Sequence, residues 1–122
     1  MITCILLAAG LSSRFGSPKA LADIQGTLLI NGLQETLVKS KVSHIVIVLG
    51  ANADLIKPHL LNHTKVSSVY NKDYKMGQTS SFQAGLRAIS SGTTGVMLMP
   101  VDFPFIKGQT IDILVEQFLE KP

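Results

Sequence analysis

Short apolar runs rich in β-branched residues alternate along this chain with stretches whose apolar positions recur at helical spacing. Residues 2–9, 44–49, 65–70 and 95–101 predict four strands, none with the in/out alternation of a half-solvated strand. Residues 29–40, 53–61, 80–90 and 109–119 predict helices between and after them. Continuous apolar strands separated by helices describe a mainly parallel sheet covered on both faces. Right-handed crossovers and the usual doubly wound arrangement give the strand order 3-2-1-4, with the winding reversing between strands 1 and 4. The expected fold is therefore α/β, a Rossmann-like doubly wound sheet in a single domain over residues 1–122. Ligands of such sheets bind beyond the carboxyl ends of the strands at the reversal.

Composition narrows the partners. A chain of 122 residues, 46% hydrophobic and 16% charged, is long enough for one buried core. Its 11 basic and 8 acidic residues leave a net charge of +3, and the basic residues are scattered. Nucleic-acid binding needs a basic stripe, so it is not expected. No apolar run approaches the ~18 residues of a membrane helix. Residues 1–13 have no basic segment before them and run into a glycine-bounded loop, so they read as a core strand and not as a secretory leader. Cys4, the single cysteine, lies in an apolar run and reads as a small buried hydrophobe in a reducing cytoplasm. His44, His59 and His63 have no metal-ligand spacing, and Met97 and Met99 read as core.

The chemistry concentrates where the first strand ends. Leu7-Ala8-Ala9-Gly10-Leu11-Ser12-Ser13-Arg14-Phe15-Gly16-Ser17-Pro18-Lys19 is a glycine-bounded loop carrying two cations. Such a loop can aim backbone N–H groups at an anion, and Gly10 and Gly16 remove the Cβ that would block close approach. Arg14 offers phosphate a planar fork and Lys19 a compact charge. The spacing matches neither a P-loop nor a dinucleotide-binding turn. Asp102 follows the apolar run 96–101 and precedes Pro104, where it fits either a Mg²⁺ ligand or a turn or helix-capping aspartate. Asn71 follows the third strand, where a turn asparagine and a ligand contact are equally suited. Ser80 and Ser81 stand where a hydroxyl could cap the first turn of a helix.

Three segments in order resemble the molybdopterin nucleotidyltransferases. The loop from Leu7 to Lys19 is similar to their L-A-A/G-G-x-S-x-R-M/F-G-x-x-K signature. Asn71-Lys72-Asp73-Tyr74-Lys75-Met76-Gly77-Gln78-Thr79-Ser80-Ser81 resembles their N-P-x-W-x-x-G-M-x-x-S element, and Met99-Pro100-Val101-Asp102-Phe103-Pro104 their D-x-P element. The resemblance implies the nucleotide-diphosphosugar-transferase type of fold and transfer of CMP from CTP to the phosphate of molybdopterin, with Mg²⁺ and release of pyrophosphate. It gives Arg14 and Lys19 the catalytic handling of the phosphates. Leu7, Ala8, Ala9 and Gly10 become a backbone shelf for the nucleotide, with Asn71 and Ser80 beside it and Asp102 on the metal. Ala9 matches the cytidylyl branch, where alanine is usual and glycine marks the guanylyl branch, and its methyl would narrow the base pocket by ~1–3 kcal/mol of discrimination. GTP as donor, another small-molecule acceptor, or a non-catalytic nucleotide-binding fragment are the alternatives.

The departures are Phe15, Lys72, Tyr74 and Thr27, where methionine, proline, tryptophan and proline are usual. The family pattern continues past Pro122 with a pterin-binding segment and a further acidic contact, so the chain resembles its amino-terminal part, incomplete at the carboxyl end. A molybdoenzyme or its chaperone would receive the product. The strand over 95–101 is apolar on both faces, and an edge of that kind is expected to pair with a second copy, lie under the last helix, or aggregate.

Overall fold

The structure is a computed structural model, and it describes residues 1–9, 13–14, 17–24, 26–89, 91–101 and 108–120. In chain order its strands are β1 (Ile2–Ala8), β2 (Ser13–Arg14), β3 (Ser17–Pro18), β4 (Asp23–Ile24), β5 (Thr27–Leu28), β6 (His44–Leu49), β7 (Val66–Tyr70) and β8 (Gly95–Pro100). Its helices are α1 (Leu29–Lys39), α2 (Ala53–Ile56), α3 (Gln78–Ala88) and α4 (Gly108–Glu120).

All seven residues of β1 are buried, so the strand needs partners on both edges and cover on both faces. It pairs in parallel with β6 on one edge and β8 on the other, and β7 joins β6. The sheet order β7-β6-β1-β8 is the 3-2-1-4 order expected from the sequence. Period-2 side-chain geometry divides the core along β1. Ile2, Cys4, Leu6 and Ala8 face one layer with Leu33 and Leu37 of α1 and Ile111 and Val115 of α4. Ile5, Leu7 and Ala9 face the other, with Ala84 of α3. The winding therefore reverses between β1 and β8.

Some local expectations need correction. The helix expected over 53–61 stops at Ile56 and continues as a 3-10 turn, Lys57–His59, because Pro58 has no N–H to extend the α-helical ladder. The helix expected from residue 80 begins at Gln78, directly after Gly77, whose φ of 101° turns the chain. Two short antiparallel pairs, β2–β3 and β4–β5, were not expected. Asp23 Oδ1 accepts the Gly26 N–H at 2.8 Å and, with Gly26 at φ 89°, closes the second of them. Of the two outer strands, β8 alternates in exposure, as an edge strand with one open face should: Val96 is 38% and Leu98 47% exposed. On the opposite face of β8, Met99 is buried in the layer beneath α4, and Met97 packs against it.

A buried glutamine fastens α1. Gln34 is 0% exposed, and its Nε2 donates to the Ile30 and His59 carbonyls while its Oε1 accepts the Leu61 N–H at 2.7 Å. Both amide protons and one lone pair of the carbonyl oxygen are met by backbone, which ties α1 to the turn after α2. At the other end of α1, the Lys41 N–H donates to Asp112 Oδ1, and the Lys41 ammonium pairs with Glu116 of α4.

Close packing of α3 on the sheet yields one prediction. A Cβ on Gly85 would lie 2.6 Å from Ile5 Cγ2 and 3.2 Å from Val48 Cγ2, whereas one on Gly32 would meet only Thr27 Cγ2 at 3.7 Å. Gly85→Ala should therefore cost about 1–3 kcal/mol by overpacking. Gly32→Ala should be neutral or stabilising, by up to ~1 kcal/mol, through helix propensity. Urea denaturation of both variants checks the contrast.

Burial also sets the reactivity of Cys4. Desolvation pushes the thiol up from 9.0 to about 12. The unfolded chain ionises first as pH rises, so this group's contribution to stability is whole below pH 9 and is lost between there and about pH 12. Iodoacetamide should accordingly alkylate Cys4 no faster than the native fold opens. Alkylation that outpaces amide exchange of the β1 backbone would contradict the burial.

Candidate functional site

Strand order brings the carboxyl ends of β1 and β8 side by side. Leu7 is in register with Pro100, and the Val101 N–H donates to the Leu7 carbonyl at 3.2 Å, so the ladder runs one residue beyond β8. On the other side Ala8 is in register with Leu49, and the Ala51 N–H donates to the Ala9 carbonyl at 3.1 Å. Leu7, Ala8 and Ala9 are buried, so what they can offer a ligand at this reversal is backbone. Gly10 and Asp102 lie outside the described residues; Asp102 directly follows Val101 in the chain. Arg14 and Lys19 are described by their backbone alone. Arg14 is paired with Ser17 across β2 and β3, and Lys19 opens a 3-10 turn directly after β3. That unexpected pairing folds the loop back on itself, with Arg14 in one arm and Lys19 following the other.

The methyl of Ala9 is packed within the core. Ala9 is 1% exposed and belongs to the core layer with Ile5, Leu7, Val48 and Ala84, against which Tyr74 packs. Gly50, just past β6, lies between Ala9 and Tyr74. A Cβ built on Gly50 would stand 2.5 Å from Tyr74 Cβ, 2.9 Å from Tyr74 Cγ and 2.9 Å from Ala9 Cβ. The methyl therefore lies against a closely packed glycine. Neither Gly50 nor Tyr74 was singled out for this from sequence. A glycine closing an apolar strand was the available signal, since it marks close backbone approach.

Asn71 is 3% exposed and its side chain is committed within the protein. Its Nδ2 donates to Ser80 Oγ and Ser81 Oγ, each at 3.0 Å, and its Oδ1 accepts the Asp73 N–H at 3.0 Å. Its backbone N–H donates to the Leu49 carbonyl at 2.7 Å, which ties the exit of β7 to the end of β6. These are the bonds of a turn asparagine, and they leave one Oδ1 lone pair uncommitted. The serines do not cap α3 as expected. Gly77 occupies the N-cap without a side-chain cap bond, and Ser80 Oγ lies within donating distance of the Gly77 and Asp73 carbonyls. A hydroxyl one turn inside the helix reaches back to carbonyls, so it cannot also fill the cap.

Among the described residues no group of three His, Cys, Asp or Glu could hold a metal. His44 Nε2 instead shares a hydrogen bond with Ser67 Oγ at 2.9 Å. A groove of about 760 Å³ runs along the ends of β6 and β7, lined by Gly50, Asn52, Leu55, Lys57, Ser68 and Tyr70 among others. That volume lies within the ~300–1,000 Å³ typical of small-molecule sites.

If Asn71 holds the turn between β7 and α3, Asn71→Ala should cost about 1–3 kcal/mol by leaving buried partners unsatisfied. The amide of Asp73 should then exchange faster while β1 amides retain their order of protection. Hydrogen exchange followed by NMR checks both.

Comparison with known proteins agrees with this arrangement. The model of the MobA-like NTP transferase domain matches residues 4–122. Nicotine blue oxidoreductase of Paenarthrobacter nicotinovorans is 34% identical, aligned over 93% of this chain and 55% of its own. Molybdenum cofactor cytidylyltransferase of Escherichia coli K12 is 33% identical over 92% and 55%. A probable molybdenum cofactor guanylyltransferase of Bacillus cereus G9842 is 32% identical over 93% and 54%. The chain thus spans about half the length of the curated relatives it matches. Among solved structures, Rv0371c of Mycobacterium tuberculosis H37Rv superposes with a TM-score of 0.81 at 23% identity, over 94% of this chain and 58% of that one. Its manganese complex gives a TM-score of 0.74. A nucleotidyl transferase of Methanothermobacter superposes with a TM-score of 0.81 at 22% identity, over 95% and 57%. Those likenesses carry the fold, and the match along nearly the whole chain carries the family: this protein belongs to the MobA-like NTP transferase domain family.

Proposed function

We propose that this chain is the nucleotide-binding part of a Mg²⁺-dependent nucleotidyltransferase that moves CMP from CTP to the phosphate of molybdopterin in the cytoplasm. One observation carries the proposal: a glycine-bounded loop with two cations leaves β1 at the winding reversal, beside the strand that leads into Asp102. The general rule that open α/β sheets bind ligands at the winding reversal supports this placement.

In this reading Lys19 and Arg14 neutralise the triphosphate, and Arg14 holds the β- and γ-phosphates as they leave. The backbone of Leu7, Ala8, Ala9 and Gly10 supports the nucleotide, and Asn71 and Ser80 hold the turn beside it. An oxygen of the acceptor phosphate attacks the α-phosphorus; the bond to the bridging oxygen breaks, and pyrophosphate departs with the electron pair. The chain's contribution is position and charge, with no covalent enzyme intermediate. Asp102 would hold the Mg²⁺, and a single hard carboxylate suits an ion that takes one or two such ligands together with substrate phosphates and water. When bound, the ion screens charge on the triphosphate. The manganese complex of the structural relative is consistent with a divalent ion in this fold.

The preference for CTP rests on Ala9, the residue that the cytidylyl branch carries. The relative named as an oxidoreductase supplies the competing outcome, because it is 34% identical to this chain and is named for different chemistry.

The test is calorimetric titration with CTP, GTP and NADH in Mg²⁺, followed by pyrophosphate release on adding molybdopterin. CTP should bind most tightly. Lys19→Ala should weaken it about tenfold or more, and Ser13→Ala by less, because a charge-assisted contact to phosphate outweighs one neutral hydrogen bond. Equal losses in the two variants would remove Lys19 from the site, and binding of NADH without CTP would overturn the transferase reading.

A further inference from the structure

The turn between β7 and α3 is anchored twice. Asn71 holds one side of it to Ser80 and Ser81, and Gly77 closes the other by donating its N–H to the Tyr74 carbonyl at 3.2 Å. Between these anchors Tyr74 opens a 3-10 turn, Tyr74–Met76, and lays the base of its side chain on Gly50. Gly50 in turn lies against Ala9, the last described residue before the glycine-bounded loop. The three residues come from three separate segments and are joined by close contact. An atom added to Gly50 would fall 2.5 Å from Tyr74 Cβ and 2.9 Å from Ala9 Cβ, so no slack separates them. One hydrogen bond reports on the joint, from the Ala51 N–H to the Ala9 carbonyl at 3.1 Å.

We infer that Tyr74 is a positioning residue that clamps Gly50 onto Ala9, so that nucleotide preference is set by where this three-residue stack holds the backbone entering the loop. The inference rests on the nucleotide-binding function proposed above and gives Ala9 an indirect role. Its methyl is the lower member of a stack, and its removal acts by letting Gly50 and Tyr74 settle. A nucleotide lying on the backbone of residues 7–9 would then feel a displaced shelf, with no change in the side chains it touches. Because the tyrosine meets Gly50 through Cβ and Cγ, the hydroxyl is not needed, and phenylalanine should serve as well.

Three consequences can be measured on the protein with the fold of each variant confirmed by circular dichroism. In Tyr74→Ala without ligand, the Ala51 amide should exchange about tenfold faster or more, while amides in the middle of β1 do not change. Gly50→Ala, which drives a methyl into the ring, should do the same, and Tyr74→Phe should match the parent. With nucleotide, the ratio of CTP to GTP affinity should shift several-fold in Tyr74→Ala. Adding Ala9→Gly to that variant should shift it no further, because both substitutions release the same joint. Unchanged exchange at Ala51 in Tyr74→Ala and Gly50→Ala would overturn the clamp. Faster exchange with an unaltered affinity ratio, or fully additive effects of Tyr74→Ala and Ala9→Gly, would overturn its role in preference. A parent protein that binds neither nucleotide would count against the proposed function, and the exchange measurements would still decide the clamp.

Discussion

Burial of β1 on both edges and both faces is the constraint from which the rest of the arrangement follows. A strand with seven buried residues must be paired on each side, so β6 and β8 cannot lie elsewhere. Its two side-chain sets must each find a layer, so α1 and α4 take one face and α3 the other. Right-handed connections then leave one geometry, in which the chain winds outward through β6 to β7 and returns across the sheet to β8. The winding reverses where β1 ends, and the glycines and cations of the chain follow that strand in sequence. Packing energy and ligand geometry are thus linked through a single strand: the same apolar run that stabilises the core aims the loop.

Among the described residues, two buried side-chain amides are satisfied within the protein. Asn71 uses both its amide protons and its carbonyl oxygen to hold the turn after β7, and Gln34 does the same for the turn after α2. Buried amides bonded in this way restrict the backbone they touch, since breaking any one contact leaves a partner unsatisfied. They fix the turns that follow β7 and α2 with backbone that has little freedom to shift. That suits phosphoryl chemistry, in which the protein's main contribution is to hold charge and reactants in place.

The sheet was legible in sequence because it is so fully buried. Apolar β-branched runs at 2–9 and 44–49 leave no helical period to compete, and the order of strands and helices then constrains topology. Legibility failed where a local residue overruled the pattern: Pro58 ended α2 early, and Gly77 turned the chain so that α3 began two residues sooner. The two-residue pairs β2–β3 and β4–β5 carry too little periodicity to detect, although Asp23 followed by Gly26 was a turn signal for the second. At the site, the loop, the end of β8 and the Asn71 turn could be named beforehand as motifs. The contact of Gly50 with Tyr74 spans 24 positions in sequence, and nothing in either neighbourhood announces it. Ala9 shows the same limit from the other side, since its identity suggested a branch of the family while its burial depends on tertiary packing.

Nucleotide binding at the ends of β1 and β8, as proposed, can be tested by chemical-shift mapping on isotope-labelled protein titrated with CTP and Mg²⁺. The account predicts that the largest shifts fall on residues 7–19 and on Val101 and Asp102, with smaller ones across 71–77 and little change at β4, β5 or α1. Shifts confined to the outer side of β7 or to α4, with the loop after β1 unperturbed, would contradict it.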